Sequence, residues 1–273
     1  MRKIGISQFA TGLIVVIAFV CSPSYGDQGQ ALINAAKAGD LKQVQELLEQ
    51  GAEVDAKNEN GITALMEAYG NGHVEIMKLL LEWEADVDAS DIRTGTTILM
   101  AASTLGQIEI VKLLLEWEAD ANIKGNNGET ALAQSSYAGW PEVTKLLLEA
   151  KADVNARTNN GATPLMLASL NTDVKSKILN ETKGELMPPQ ADHVQVIKLL
   201  LEAKADIDAK ADNGATALIM ASSEGHSDIV KLFLEAKADV NLKDKNGSTA
   251  LLVASQKGHT SVVELLKTYG AQE

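Results

Sequence analysis

One pattern of apolar and polar positions returns along almost the whole chain. The stretch Leu113-Leu114-Leu115-Glu116-Trp117-Glu118-Ala119-Asp120 recurs, lightly edited, at Leu79 to Asp86, Leu146 to Asp153, Leu199 to Asp206 and Leu232 to Asp239, with weaker copies at residues 46–52 and 264–271. Its leucines close an amphipathic run. In Val74 to Trp83, Ile76, Leu79 and Leu80 fall on spacings of three and four, which predicts a helix with one buried face. A shorter run precedes it, in which Leu65 and Ala68 form an apolar stripe behind Thr63, a hydroxyl placed to cap the first turn. Between copies stand Asn60-Gly61, Thr94-Gly95, Asn127-Gly128, Asn160-Gly161, Asn213-Gly214 and Asn246-Gly247, pairs that suit a hairpin turn with positive φ. Each copy therefore reads as turn, helix, tight loop, helix. No copy can bury its apolar face alone, so stability is a sum over neighbours along a stack.

The glycines of the Gly-x-Thr-x-Leu element, Gly61, Gly95, Gly128, Gly161, Gly214 and Gly247, are spaced by 34, 33, 33, 53 and 33 residues. A second glycine follows eleven residues later at Gly72, Gly106, Gly139, Gly225 and Gly258. Copies such as Asn213-Gly214-Ala215-Thr216-Ala217-Leu218, Ala221, Gly225-His226, Ile229-Val230-Lys231-Leu232 and Ala238-Asp239-Val240-Asn241 resemble ankyrin repeats, over about residues 28–273. The resemblance implies an all-α repeat solenoid of about seven copies, each a helix-loop-helix with a β-hairpin turn. Their approximate bounds are 28–57, 58–90, 91–124, 125–157, 158–210, 211–243 and 244–273. The first copy lacks the hairpin and carries Gln43 where later copies have Ile or Val; the last offers Thr260, Ser261, Lys267 and Thr268 to water, as end copies should.

Three departures from the family pattern change the picture. Its Thr-Pro-Leu-His becomes mostly Thr-Ala-Leu-Met, with Met66, Met166 and Leu252 at the histidine place and proline kept only at Thr163-Pro164, so an apolar contact replaces the Thr-to-His hydrogen bond. The glycine that normally ends the second helix is Glu84, Glu118, Lys151, Lys204 or Lys237 in the middle copies and survives only as Gly51 and Gly270. A left-handed conformation at those residues costs about 1 kcal/mol each relative to Gly. Finally, the 53-residue spacing is 33 plus a 20-residue insertion at 172–191, polar but carrying Ile178, Leu179, Leu186 and Met187. Val174 to Thr182 suits a short helix. The insertion leaves the loop between two helices and reads either as a tolerated surface addition or as a specificity loop.

The N-terminus is a separate element. Arg2 and Lys3 precede the apolar stretch Leu13 to Val20, and Ser24-Tyr25-Gly26 places small residues at −3 and −1 of a cut before Asp27. Residues 1–26 therefore read as a secretory signal peptide and 27–273 as the repeat domain. A retained anchor over Ile4 to Cys21 is the alternative, and a lipid on Cys21 a third, disfavoured by the bulky Phe19 and Val20. Cys21, the single cysteine, would leave with the signal. The product is then an exported, cysteine-free protein, most simply a bacterial periplasmic or secreted one.

Composition narrows the function. The chain is 45% hydrophobic but 4% aromatic, so Ala, Leu and Val build the interior. Its formal net charge is −13; without residues 1–26 it is 22 basic against 37 acidic, or −15. Such a surface excludes nonspecific nucleic-acid binding, which needs clustered Lys and Arg, and favours a basic partner protein. Membrane contact is expected only through an uncleaved N-terminus.

Candidate chemistry is sparse. His73, His193, His226 and His259 share one repeat position, a copy apart, too far to converge on one metal ion, and read as structural capping residues. Asp208 to Gly214 faintly resembles a calcium loop but puts Lys210 where an oxygen ligand belongs. The Ala-Asp carboxylates recur in nearly every copy, unlike catalytic groups. No catalytic, cofactor or metal site is expected, and the protein reads as a monomeric, non-enzymatic, protein-binding scaffold whose resemblance implies a concave groove of hairpin tips and first helices.

Residues found in single copies are then the recognition candidates. On the groove side or the helix–helix turn these are Tyr69, Asn71, Leu105, Tyr137, Trp140, Leu170, Glu224 and Lys257; at the tips they are Glu59, Ile62, Arg93, Thr96 and Glu129. Tyr137 and Trp140 flank Gly139 and read either as exposed anchors or as packing over the adjacent loop. Trp83 and Trp117 share one place in neighbouring copies and read as a stacked outer row or a small apolar patch. A candidate role is protection or inhibition of a periplasmic enzyme or toxin; a membrane-tethered structural spacer is the other reading.

Overall fold

A computed structural model describes residues 25–170 and 192–272. Residues 1–24 of the expected signal segment 1–26, and the insertion 172–191 with its expected helix, lie outside the described residues. The helices come in pairs, one pair per copy: α1 (Tyr25–Ala38) and α2 (Leu41–Glu49); α3 (Ala64–Gly70) and α4 (Val74–Glu82); α5 (Ile98–Leu105) and α6 (Ile108–Glu116); α7 (Ala131–Ala138) and α8 (Pro141–Glu149); α9 (Pro164–Ala168) and α10 (His193–Glu202); α11 (Ala217–Glu224) and α12 (Ser227–Glu235); α13 (Ala250–Lys257) and α14 (Thr260–Thr268). First helices pack on first helices and second on second, as in α5 on α7 and α8 on α10. The result is the expected two-layered α-solenoid. The helix α1 starts at Tyr25, so a cut before Asp27 would fall within its first turn.

Local chemistry sets each element. Thr63, Thr97, Thr130, Thr163, Thr216 and Thr249 all cap a first helix, the hydroxyl accepting the N–H three residues on, which satisfies a donor the helix itself cannot. Two residues upstream, the tip glycines hold φ near +76° at Gly61 and +78° at Gly128, the left-handed region that favours Gly. Each tip closes with two backbone bonds, for example Asn58 N–H to the Ile62 carbonyl (3.1 Å) and Gly61 N–H to the Asn58 carbonyl (2.8 Å). Tips also bond to one another: Asn126 N–H to Thr94 O (2.8 Å), Asn159 to Asn127 (2.8 Å), Asp212 to Asn160 (3.0 Å) and Lys245 to Asn213 (2.9 Å). An isolated antiparallel bridge, Ser90 to Thr97, is the remaining β-structure among the described residues.

The recurring Ala-Asp carboxylates act as backbone acceptors. Asp55 accepts the N–H of Asp86 (2.9 Å), Asp86 that of Asp88 (3.0 Å), and Asp88 that of Asp120 (3.1 Å). The same alternation passes through Asn122, Asp153, Asn155, Asp206, Asp208 and Asp239 to Asn241, which accepts the N–H of Gln272 (3.0 Å). Where the next copy's N–H is the donor, Asn serves as well as Asp, because either offers a carbonyl-type oxygen. At Asp88, desolvation raises the carboxyl's pKa above its ordinary value despite the opposing Asp120 N–H, and the charges of Asp86 and Asp120 add to the rise.

The second helices end as their sequence implies. Glu84, Glu118, Lys151, Lys204 and Lys237 all hold φ between 62° and 66°, so five side chains occupy the conformation that glycine takes at Gly51 and Gly270. The end copies are also as expected at the named residues: Gln43 is exposed where its counterpart Ile76 is buried, and Thr260, Ser261, Lys267 and Thr268 face solvent.

One joint differs from the rest. The backbones of α3 and α5, and of α4 and α6, do not come together as those of other adjacent copies do. Tyr69 explains the gap. It stands where later first helices carry a fully buried serine, Ser103, Ser136, Ser169 or Ser222, and a phenol cannot fit in a serine's space without spreading the helices. Its hydroxyl reaches across to Gln107 Oε1 (2.9 Å). Burial pushes the phenol well above the usual tyrosine range.

Candidate functional site

Four joints between copies share one device, and it reassigns several expected site residues. A ring at the start of the second helix lies over the second glycine of the preceding copy and bonds to the carbonyl two residues before that glycine. Between copies two and three Gln107 stands in the ring's place, and a Cβ at Gly72 would meet nothing within 4 Å. His73 covers Gly39 and meets Lys37 O (3.2 Å); His193 covers Gly139 and meets Tyr137 O (3.1 Å); His259 covers Gly225 and meets Ser223 O (3.0 Å). Trp140 does the same with an indole, covering Gly106 and donating Nε1–H to Thr104 O (2.9 Å). The glycine is required, because a Cβ at Gly139 would stand 2.6 Å from the His193 ring, and Gly139 also holds φ +78°.

Two expectations are corrected by this. Trp140 is 3% exposed and is an inter-copy packing residue, not an exposed anchor; a buried indole satisfied by a carbonyl has nothing to offer a partner. The histidines are structural, but not as caps: His73, His226 and His259 sit at the N-cap position and make no side-chain capping bond. In copy five the cap is Asp192, whose carboxylate accepts Gln195 N–H (2.8 Å).

His193 gives this device a pH dependence. Burial lowers its pKa below the ordinary value, opposed by the Tyr137 carbonyl; the His226 charge lowers it further and that of Asp192 raises it. The unfolded chain then binds the proton more readily. Stability is therefore full above the unfolded pKa of about 6.5 and falls as pH drops below it, by up to about 1.4 kcal/mol per pH unit per proton. His193→Gln is expected to flatten that part of a stability-versus-pH curve from urea melts. An unchanged slope in the variant would assign the titration elsewhere.

The remaining candidates divide into two sets at opposite ends of the first helices, about 12 Å apart for eight residues of helix. At the turn end, Tyr69 is committed to the spread joint, and Asn71 folds back to donate to the Glu67 carbonyl (2.8 Å) and carboxylate (3.2 Å). Glu224 and Lys257 pair with each other across copies six and seven (3.4 Å), a solvent-exposed pair of small energetic worth. Leu105, Tyr137 and Leu170 remain, 37%, 43% and 38% exposed, at the ends of three consecutive first helices. At the tip end Glu59 and Arg93 are exposed, while Ile62, Thr96 and Glu129 are half-buried.

Ile92, which inspection of singular residues passes over, is 61% exposed and next to Arg93. The signal at this tip is the 34-residue spacing between Gly61 and Gly95, one residue more than at the next joint; the Ile92 side chain lies over Gly61, where a Cβ would stand 2.5 Å from it. Asp91 braces the loop, accepting the N–H of Arg93 (2.9 Å) and of Thr94 (3.0 Å). Those donors hold its carboxyl below the usual range. On the outer helices Trp83 is 43% exposed, whereas Trp117 is partly buried against the core.

No cluster of three or more metal-ligating side chains occurs among the described residues, nor any helix long and apolar enough to cross a membrane. What the geometry offers is an extended apolar and polar surface on a stiff frame, suited to binding.

Comparison with known proteins agrees with that frame. A family model for ankyrin repeats in three copies matches residues 32–125, 118–181 and 190–273, and one for a single ankyrin repeat matches 160–212. The mitochondrial disaggregase of Homo sapiens is 40% identical over 78 residues, 29% of this chain and 11% of that protein. The probable E3 ubiquitin-protein ligase XBOS33 of Oryza sativa subsp. japonica is 39% identical over 72 residues, 26% of this chain and 14% of that one. The ankyrin repeat and SAM domain-containing protein 6 of Danio rerio is 41% identical over 61 residues, 22% and 8%. The chain thus spans at most 14% of these relatives' lengths, and what is shared is the repeat. The chain belongs to the ankyrin-repeat family, whose stacked repeats are scaffolds for binding other proteins.

Proposed function

We propose that the protein is an exported, non-enzymatic scaffold that holds another protein, in a bacterial periplasm, and that it protects or inhibits an enzyme or toxin there. The partner contacts the exposed side of the first helices and the hairpin tips, with Leu105, Tyr137 and Leu170 as the apolar centre and Ile92 and Arg93 at the edge. The observation that carries this reading is the run of three consecutive copies with an exposed apolar side chain at the turn end. Elsewhere that end carries Asn71, Glu224 or Lys257. The net charge of −13 favours a basic partner, and a groove ordered on folding binds without a further ordering cost. Export rests on the sequence of residues 1–26.

The test is affinity capture from periplasmic extract, comparing the native chain with Leu105→Ala/Tyr137→Ala. The double variant is expected to keep its melting behaviour and to weaken partner binding by about 1–4 kcal/mol. Equal capture by both would remove this surface from the interface. N-terminal sequencing of the exported protein is expected to begin at Asp27; a chain still starting at Met1 would instead favour the tethered spacer.

A further inference from the structure

A row of cations crosses this acidic molecule. Lys124, Arg157, Lys210 and Lys243 each stand four residues before a tip glycine, Gly128, Gly161, Gly214 or Gly247, in four consecutive copies, and all four are exposed. Three of the head groups are tied to the copy that follows. Lys124 Nζ donates to the Arg157 carbonyl (3.0 Å), Arg157 Nη2 to that of Lys210 (2.7 Å) and Lys210 Nζ to that of Lys243 (2.9 Å). The cations are thereby held in register, one copy apart, on tips that are themselves bonded to one another.

These ties leave most of the donors unused, since an ammonium carries three N–H groups and a guanidinium five. Among the described residues Lys124, Lys210 and Lys243 form no ion pair, and Arg157 approaches Asp212 at 3.8 Å. The neighbouring charge also changes along the stack. Lys57 holds the same place between Asp55 and Glu59, and copy two has Ser90 there, close to Asp88 and Asp91. Around Lys124 and Arg157 the residues two before and two after are Asn122, Asn126, Asn155 and Asn159. Asn122 and Asn155 accept the Asp153 and Asp206 N–H (2.7 and 2.8 Å) as Asp55 accepts that of Asp86, so the exchange removes charge without altering the ladder. Farther along, Asp208 and Asp244 are engaged by backbone N–H groups.

We propose that this row is a docking surface for an acidic segment of a partner protein, bound in the polyproline II conformation with a carboxylate at every third residue. Packed helices stand about 8–10 Å apart, which sets the spacing of the cations. A polyproline II chain repeats every three residues and rises about 3.1 Å per residue, so carboxylates three residues apart lie on one side at the same spacing. A flat β-strand would turn every second one of them away. The carbonyl ties hold the long side chains before binding, which lowers the freedom lost on docking. At physiological salt, charges beyond about 8 Å are screened, so the segment responds to the row beneath it rather than to the net −13 of the chain. The row lies at the tips, away from Leu105, Tyr137 and Leu170, and the inference rests on none of them.

The experiment titrates the full chain at low salt with a peptide of four glutamate-proline-proline units, following the backbone amides of Lys124, Arg157, Lys210 and Lys243 by NMR. Saturable shifts centred on this row are expected, with a dissociation constant of about millimolar order, because exposed ion pairs are individually weak. Lys124→Glu/Lys210→Glu is expected to weaken binding at least about tenfold. Lys124→Gln/Lys210→Gln, which keeps an N–H for each carbonyl but no charge, is expected to lose most of the affinity with unchanged melting. Lys145→Glu/Lys231→Glu, on the outer helices α8 and α12, is expected to bind as the native chain does. Absence of saturable shifts, full affinity in the glutamine variant, or equal binding of a peptide with the same composition and its glutamates consecutive would each overturn the proposal. So would equal binding of a thymidine oligonucleotide, which would make the row a general polyanion site. None of these readouts involves Leu105 or Tyr137, so failure here leaves the proposed first-helix surface untouched.

Discussion

Replacing Trp140 by alanine is expected to destabilise the stack by about 3–5 kcal/mol in urea or guanidinium melts, the range for deleting a large buried aromatic. The indole is 3% exposed and lies against Gly106, where a Cβ would stand 3.0 Å from its ring. Truncation also leaves the Thr104 carbonyl without the Nε1–H donor at 2.9 Å, an unpaired buried acceptor that adds to the cost. Trp140→His is the informative companion. His73, His193 and His259 make the equivalent contact, so imidazole is expected to recover the hydrogen bond and lose only the difference in buried ring area. A Trp140→Ala protein that keeps its stability but loses its partner would return this residue to the binding surface.

The second large effect has the opposite sign. Glycine at positions 84, 118, 151, 204 and 237 is expected to raise stability by about 1 kcal/mol per site, since each now holds a side chain at positive φ. The sites lie one copy apart and share no partner, so their contributions should add, to about 5 kcal/mol for the fivefold variant. Part of each gain is offset by the greater freedom of glycine in the unfolded chain. Lys204→Gly alone is the cleanest single measurement. A fivefold variant no more stable than the native chain would mean that contacts of the Lys and Glu side chains offset the backbone strain.

What could be read from the sequence follows from what repetition does. Seven copies averaged out local ambiguity, so the helix pairs, the threonine caps and the left-handed helix ends were all legible before any coordinate. Recurrence also marked the Ala-Asp carboxylates as structural, although not that each accepts the N–H two residues on, whose own side chain accepts an N–H from the next copy. The test that failed was treating a residue found once as a residue used for recognition. Trp140 is singular because a joint can be filled by a histidine or an indole, and Tyr69 because it stands in place of a buried serine; sequence alone does not say which residue faces the next copy. Ile92 was hidden for the opposite reason: its residue type is ordinary, and only the one-residue excess in spacing marks its tip as different.

The phenol of Tyr69 also decides how the molecule comes apart. A linear array unfolds copy by copy unless its joints are strong enough to make it act as one unit, and the joint between copies two and three has the backbones held apart. Two copies are fewer than such an array needs to stand alone. Residues 28–90 should therefore open as one cooperative block while copies three to seven stay folded. Native-state hydrogen exchange would read this as a common, lower opening free energy across α1 to α4 than across α7 to α12, and a single value for all would rule it out. Tyr69→Ser, which restores the residue type of the later copies, would test whether closing that gap extends the cooperative unit to the first turn of α1.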